Sequence, residues 1–556
     1  MMQSSPARKA CDICYHKRIR CDGQKPRCSH CVLYNSSCTF QARSRKARNS
    51  KQRPSACVDA LKGEVHRLET SLNEAQQRIK ELEGQVSLQT DALPTDDSIY
   101  ASEEYVIIPP EIDSGGNDKE LPPRQEVLSA ANKYLDTLNS VLPLFHPQNL
   151  MNSINRWYDN PESRETSTWA AINVVVALIY RQNSLVGAKS STAVRFLNNA
   201  QTVLNEVLTG EPKLLDVQTL IGMVLFLQAA SDLKPATTLM AIALRLAHSL
   251  DLHTRSNPAV LSSSEMLERD RVFWIAYICD RDIAIRTRLP PLQNEKDISI
   301  DWPSASPVDK AGLITTRDGT SSFNFFLSRV QLAHIQGQIY EATQPPLSPA
   351  SEAHIRLENV TRIHRMLDSW YASVPPPFLP GAIVQAGDVS IYRPLGVLYA
   401  SHLACRSLVC KAHAMEWQWL RSLQDFGRKA AIGIITSPHL PVGWTELVYE
   451  SRQYMTLFTN IESKDPAFYW MTVCTYISGA VCLTANNIFN PWHEDMQIDN
   501  DLVMLSFRFL EDMIREAPSE PLQRLRDSWD ELLQHARARS AQFMVSDTDW
   551  LGRIST

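Results

Sequence analysis

The spacing of apolar residues changes character along this chain, and each change marks a different kind of structure. From about Gln125 to about Ala541, apolar positions recur three and four residues apart in stretches punctuated by Pro, Gly and Asn. The stretches run from Gln125–Leu142, Thr168–Arg181 and Ser191–Leu208 through Pro235–Leu250, Ser263–Ile285 and Ser328–Thr343. Later ones include Ser390–Met415, Ser422–Thr436, Pro466–Ile488 and, last, Glu520–Phe543. Sustained alternation of period two is scarce, so the fold class expected is mainly α, with a large all-α helical body over 125–541.

Upstream, Val58, Leu61, Val65, Leu68, Leu72, Ala75, Ile79, Leu82 and Val86 form a strict heptad seam. Position a is mostly β-branched and position d mostly Leu, which favours a short parallel two-stranded coiled coil over 58–90. Gly63 and Gly84 weaken that helix. Arg78 would face Glu83 of the other strand favourably, whereas Glu64 and Glu69 repel. The expected product is a homodimer; a single amphipathic helix docked on the body is the other reading of the same seam.

Two stretches show neither period. Residues 41–57 are basic and polar, with Arg43, Arg45, Lys46, Arg48, Lys51 and Arg53 and no acid before Cys57. They read as a linker that tracks phosphates and doubles as a nuclear import signal. Residues 91–124, rich in acids and Pro, read as a spacer without fixed structure, and 542–556 as a frayed tail. Ala467–Ala485 carries no charge and is long enough to span a bilayer. Its Thr, Ser and Tyr content and its place among helical segments point instead to a buried core helix.

Composition adds little until charge is divided along the chain. The net charge is −5, yet residues 1–55 hold 13 Lys and Arg against Asp12 and Asp22, a formal +11. A basic head on an acidic body is the electrostatic footprint of a polyanion binder. The sequence contains no G-x-S-x-G, Walker, G-x-G-x-x-G or H-E-x-x-H motif, so no enzyme is expected. His146, His248, His253, His402 and His413 lie on or beside apolar faces as structural residues. Cys279, Cys405, Cys410, Cys474 and Cys482 lack metal-ligand spacing and should pack as small apolar groups.

The chemistry concentrates in residues 1–40, where cysteines stand at 11, 14, 21, 28, 31 and 38. The spacing C-x2-C-x6-C occurs twice. Thiolate is a soft ligand, and C-x2-C sets two sulfurs on one turn for tetrahedral zinc. Two tetrahedral zincs require eight ligand positions, so with six sulfurs, two must bridge. The repeat makes Cys11 and Cys28 equivalent, and these are assigned as the bridges. The predicted cofactor is therefore two Zn2+ on Cys11, Cys14, Cys21, Cys28, Cys31 and Cys38. His16 and His30 could bind metal too, but with six cysteines in register they are assigned to the surface or to phosphate.

This spacing resembles that of the fungal Zn2Cys6 binuclear-cluster transcription factors without insertion or deletion. The resemblance implies that the first helix of the cluster enters the DNA major groove. Lys17 and Arg18 then read a CGG-like triplet, although Tyr15 stands where the family usually has Arg. Arg8, Lys9, Arg20, Lys25 and Arg27 are assigned to phosphate, and Pro26 to the loop joining the halves. A second resemblance lies in LMAIALRLAHSLDLHTRS and EMLERDRVFWIAYICDRDIAIRTRLPPLQNEKDISIDWP, which are similar to the fungal-specific (middle homology) regulatory domain. Its landmarks are Ala243, Arg245, Ala247, Leu252, His253, Glu268, Arg271, Phe273, Trp274, Asp280, Arg281 and Pro290. Arg288-Leu289-Pro290 replaces the usual Gly-Arg-Pro. The charges from Glu268 to Asp282 are expected to form structural ion pairs around a Phe-Trp core.

The expected protein is a nuclear regulator of RNA polymerase II genes that binds double-stranded DNA as a homodimer. Its expected partners are coactivators or corepressors and a small-molecule effector. A repressor acting through zipper heterodimers, or a metabolite sensor with DNA binding secondary, is the alternative.

Overall fold

The computed structural model describes residues 10–40 and, with short gaps, 120–554. The chain divides into two units, one within Met1–Asp96 and one within Asp97–Thr556. The heptad seam from Val58 to Val86 and the linker before it lie outside the described residues, as do Arg8 and Lys9.

In the first unit two five-residue helices, α1 (Asp12–His16) and α2 (Ser29–Leu33), follow the first cysteine of each half. Such short helices have no independent stability. Cys11 caps α1 by accepting the Cys14 N–H on its sulfur at 3.5 Å, so the metal ligand itself starts the helix.

The second unit is helical almost throughout. Its elements begin with α3 (Arg124–Asp136), α4 (Leu138–Val141), α5 (Pro147–Asp159), α6 (Thr166–Gln182), α7 (Ala188–Gln201) and α8 (Leu204–Thr209). Then come α9 (Leu214–Leu227), α10 (Lys234–Ser249) and α11 (Ser263–Thr287). A short antiparallel hairpin follows, β1 (Leu313–Thr315) with β2 (Ser322–Asn324), Leu313 opposite Asn324. After it come α12 (Phe325–Thr343), α13 (Glu352–Ala372), α14 (Pro380–Ala386), α15 (Val389–Val409) and α16 (Trp417–Ala431). The chain continues through α17 (Trp444–Thr459), α18 (Pro466–Phe489), α19 (Met496–Glu516) and α20 (Glu520–Ile554).

Two apolar cores divide this unit. The first gathers α3 to α11, and the second gathers α13 to α20. Helix α12 serves both: Phe326, Val330 and Ala333 face the first core, while Phe325, Leu332, Ile335 and Ile339 face the second. Helix α18 packs against α15, α17, α19 and α20. Phe468, Val473, Ile477, Val481 and Leu483 on it are buried, which is the core helix expected of the uncharged Ala467–Ala485 stretch. No helix among the described residues is long and apolar enough to cross a membrane.

Helix boundaries moved where local chemistry overrode periodicity. The stretch Gln125–Leu142 breaks at Thr137, whose φ of −112° and ψ of −82° leave the helical region. Helix α5 adds a helix to those expected from periodicity, with Pro147 at its first turn and Leu150, Ile154 and Trp157 on one buried face as its signature. Helix α16 begins five residues before the expected Ser422. Helix α15 stops at Val409, followed by the left-handed Lys411 at φ 52°. Helix α20 runs on to Ile554 through the residues read as a frayed tail. Helix α11 has a capping box, the Ser262 hydroxyl accepting from the Glu265 N–H and the Glu265 carboxylate from the Ser262 N–H. It ends on Arg288 at φ 59°, the left-handed cap that glycine fills at least cost, which is the physical meaning of Arg288 in place of the usual Gly.

Candidate metal centre and nucleic-acid interface

All six head cysteines converge. The sulfurs of Cys11, Cys14, Cys21 and Cys28 lie within 4.8 Å of one another, as do those of Cys11, Cys28, Cys31 and Cys38. The two quartets share Cys11 and Cys28, the pair assigned as bridges from the repeat. The Cys11–Cys28 and Cys14–Cys28 sulfur separations are 3.7 and 3.8 Å, far beyond the roughly 2.05 Å of a disulfide. Each separation suits sulfurs about 2.3 Å from a common tetrahedral ion. Burial pushes the Cys31 thiol up to about 12, and contacts with neighbouring sulfurs act in the same direction. Cys14 is raised further for the same reasons. Thiolates there require a compensating cation, which two zinc ions supply by binding all six as sulfur anions.

The halves are built alike. Helix α1 is followed by Arg18 at φ 54° and α2 by Asn35 at φ 43°, and the next N–H in each returns to a cysteine carbonyl. Ile19 donates to Cys14 O at 3.0 Å, and Ser36 to Cys31 O at 2.9 Å. The Cys11 N–H lies 3.4 Å from the Cys21 sulfur, and the Cys28 N–H 3.4 Å from that of Cys38. Asp12 and Thr39 close the head end to end through the Asp12 N–H and the Thr39 hydroxyl.

Comparison with known proteins gives two domain matches. Residues 9–47 match the fungal Zn(2)-Cys(6) binuclear cluster domain, and residues 131–372 the fungal specific transcription factor domain. The chain belongs to the fungal Zn2Cys6 transcription regulators. It is 29% identical over 411 residues to ABC-transporter-regulating transcription factors of Aspergillus oryzae and Aspergillus fumigatus, an alignment covering 73% of this chain. It spans about half the length of those relatives, 46%. It is 24% identical over 379 residues to the fusaridione A cluster transcription factor of Fusarium heterosporum, covering 68% of this chain and 70% of that one.

In this Zn2Cys6 head the two matched halves differ in what they present. Lys17, Arg18 and Arg20 are exposed at and beyond the end of α1. The corresponding places after α2 hold Tyr34 and Asn35, and Val32, Leu33 and Tyr34 are exposed apolar groups. Lys25 lies over the Phe40 ring at 5.7 Å. Arg27, also exposed, donates through Nη2 to the carbonyls of Cys31 at 3.1 Å and Ser36 at 2.6 Å, so it holds the second half together. His30, expected at the surface or on phosphate, has a ring nitrogen within 4.8 Å of the Cys14 and Cys31 sulfurs, and its ring lies tilted over Tyr34 at 4.7 Å. The sequence offers His30 as a possible ligand, but the cysteine spacing assigns no ligand position to the residue before Cys31.

The charged landmarks of the fungal specific transcription factor domain have structural partners. Arg269 donates to Leu250 O, and Arg271 makes a bidentate pair with Asp309 at 2.7 Å. Arg281 is buried against Asp280 at 2.7 Å, Gln293 O at 2.7 Å and Glu295 at 3.0 Å. Asp282 pairs with Arg329 across to α12. Burial alone would raise Glu295, but hydrogen bonds from His334, Tyr277 and Arg281 outweigh it and hold the carboxyl at about 2. Phe273 and Trp274 form the expected aromatic core, 5.4 Å apart edge to face.

A second buried network joins α13, α15 and α17. Arg406 donates to Glu450 at 2.7 and 3.2 Å, to Asp368 at 2.7 Å and to His364 Nδ1 at 3.2 Å. His402 is stacked on Trp370 and hydrogen-bonded to the Tyr454 hydroxyl at 2.9 Å. Cys279, Cys405, Cys410 and Cys482 are buried. Among the described residues, clusters of metal-ligating side chains occur only in the head.

Proposed function

We propose that this regulator acts in the nucleus on genes read by RNA polymerase II. It binds double-stranded DNA as a homodimer and recognises CGG-like triplets. The observation that carries the reading is the asymmetry of the head. Of two halves with the same backbone, one ends in exposed Lys17 and Arg18 and the other in Tyr34 and Asn35. Lys and Arg donate to guanine O6 and N7 in the major groove, whereas a tyrosine–asparagine end offers no cation to that edge. Arg20, Lys25, Arg8 and Lys9 supply phosphate contacts that set register. The seam from Val58 to Val86 pairs two heads, and the helical body couples DNA binding to coactivators, corepressors or a small-molecule effector.

Binding-site selection with the full-length protein, at stated salt and with or without chelator, tests this. Enrichment of paired CGG triplets, abolished by chelation and relaxed by Arg18→Ala at about 1–3 kcal/mol per triplet, is the expected result. Enrichment of single triplets would remove the homodimer. Binding that weakens with salt but ignores sequence would remove the readout by Lys17 and Arg18.

A further inference from the structure

The regulatory body contains an open cleft of about 330 Å³ between the turn at 143–146, the first turns of α11 and the loop at 308–309. Its size lies within the roughly 300–1,000 Å³ of small-molecule sites. A smaller pocket of about 40 Å³ continues inward from it toward α5, α6 and α9, and Phe145, His146 and Glu268 border both.

Two features of the lining select a ligand. Glu268 accepts hydrogen bonds from the His146 N–H at 3.1 Å, Gln218 at 3.0 Å and Asn149 at 2.9 Å. All three donors are neutral, and Glu268 has no ion-pair partner among the described residues. Arg271, one turn along α11, is instead turned to Asp309 in a bidentate pair. The cleft therefore holds two carboxylates against one guanidinium, and the unneutralised carboxylate is the one at its inner end. His146, which borders the same cleft, has its Nδ1 buried without a hydrogen-bond partner among the described residues. A buried polar atom left in this way costs about 1–3 kcal/mol, which a donor on a ligand would recover. The rest of the lining is mixed: Pro143 and Phe145, with Leu267 and the fully exposed Val308 at the mouth, are apolar, and Ser263 and Ser264 add two hydroxyls.

We propose that this cleft binds a small amphipathic amine in its protonated form. The ammonium sits between Glu268 and His146 Nδ1, and the apolar portion lies against Phe145, Leu267 and Val308. The inference goes beyond the DNA-binding reading and does not depend on it, since it concerns binding by the body alone.

The test uses full-length zinc-loaded protein and three probes with one apolar body: phenylbutylamine, phenylbutanol and phenylbutyrate, titrated by ligand-observed NMR. The amine should bind at least about tenfold more tightly than the alcohol or the acid. Glu268→Gln should weaken the amine by a similar factor and leave the alcohol unaffected. Should that variant fold poorly, Leu267→Trp at the exposed mouth fills the cleft without touching Glu268 and should block all three probes. Preference for the acid, absence of amine binding to the parent chain, or amine binding indifferent to Leu267→Trp would each overturn the proposal.

Discussion

Removing one cysteine should cost one zinc or two, depending on which cysteine it is. Cys28 belongs to both sulfur quartets, whereas Cys38 belongs to one. Cys28→Ala thus takes a ligand from each ion, and Cys38→Ala leaves the quartet of Cys11, Cys14, Cys21 and Cys28 complete. Among the described residues of the head, the fully buried apolar groups are four of the cysteines themselves, with Ile13 and Phe40 partly buried around them. A structural zinc contributes about 10–16 kcal/mol of apparent free energy at neutral pH, and in so small a module that is folding free energy. Loss of both sites leaves no term large enough to hold α1 and α2.

The helical body would mask this loss in circular dichroism, so the assay must read the metal. Zinc released from purified full-length protein is counted with a colorimetric chelator, and Co2+ substitution follows thiolate absorption independently. The parent should release two zincs, Cys38→Ala about one, and Cys28→Ala almost none. Equal retention by the two variants, or one tightly held zinc in Cys28→Ala, would refute the shared-sulfur arrangement.

Arg406→Met should destabilise the body by about 3–5 kcal/mol, seen as a lower urea midpoint by tryptophan fluorescence, because Glu450 is left charged and buried. Adding Glu450→Leu should restore most of the loss; no restoration would contradict the pairing. The same buried region makes stability pH-dependent. Burial and the Arg406 charge push His402 down to about 3, so the unfolded chain gains a proton below about pH 6.5 while the folded one stays neutral until about 3. Its contribution is therefore full above pH 6.5 and lost as pH falls toward 3, by up to about 1.4 kcal/mol per unit. Glu450, whose carboxyl burial raises, acts in the opposite sense at the acid end. The urea midpoint should drop between pH 7 and 5, and His402→Phe should flatten that drop. In the head, Lys25→Ala should reduce the salt dependence of DNA binding by about one phosphate contact, whereas Arg27→Ala should instead speed zinc loss.

The metal centre was legible in the sequence because its geometry is local. Six sulfurs within twenty-eight residues, in two equal halves, leave two tetrahedral ions little choice but to share the matching pair. The all-α character of the body was legible for a related reason, since a period of 3.6 states which residues share a helix face. That period says nothing about what the face meets. Only the tertiary structure decided that α12 has a face for each of two cores. It alone brought Glu268 to His146 and Gln218, 122 and 50 residues away in sequence. It also brought Arg406 between Asp368 and Glu450, 38 and 44 residues away. A charged residue on a helical pattern reads as surface until another helix covers it, and which helix covers it is set by how all the apolar faces pack together. The zinc head was determined by the sequence because its ligands are near neighbours along the chain. The buried polar network and the cleft were decided by the fold because their partners meet only when distant helices close.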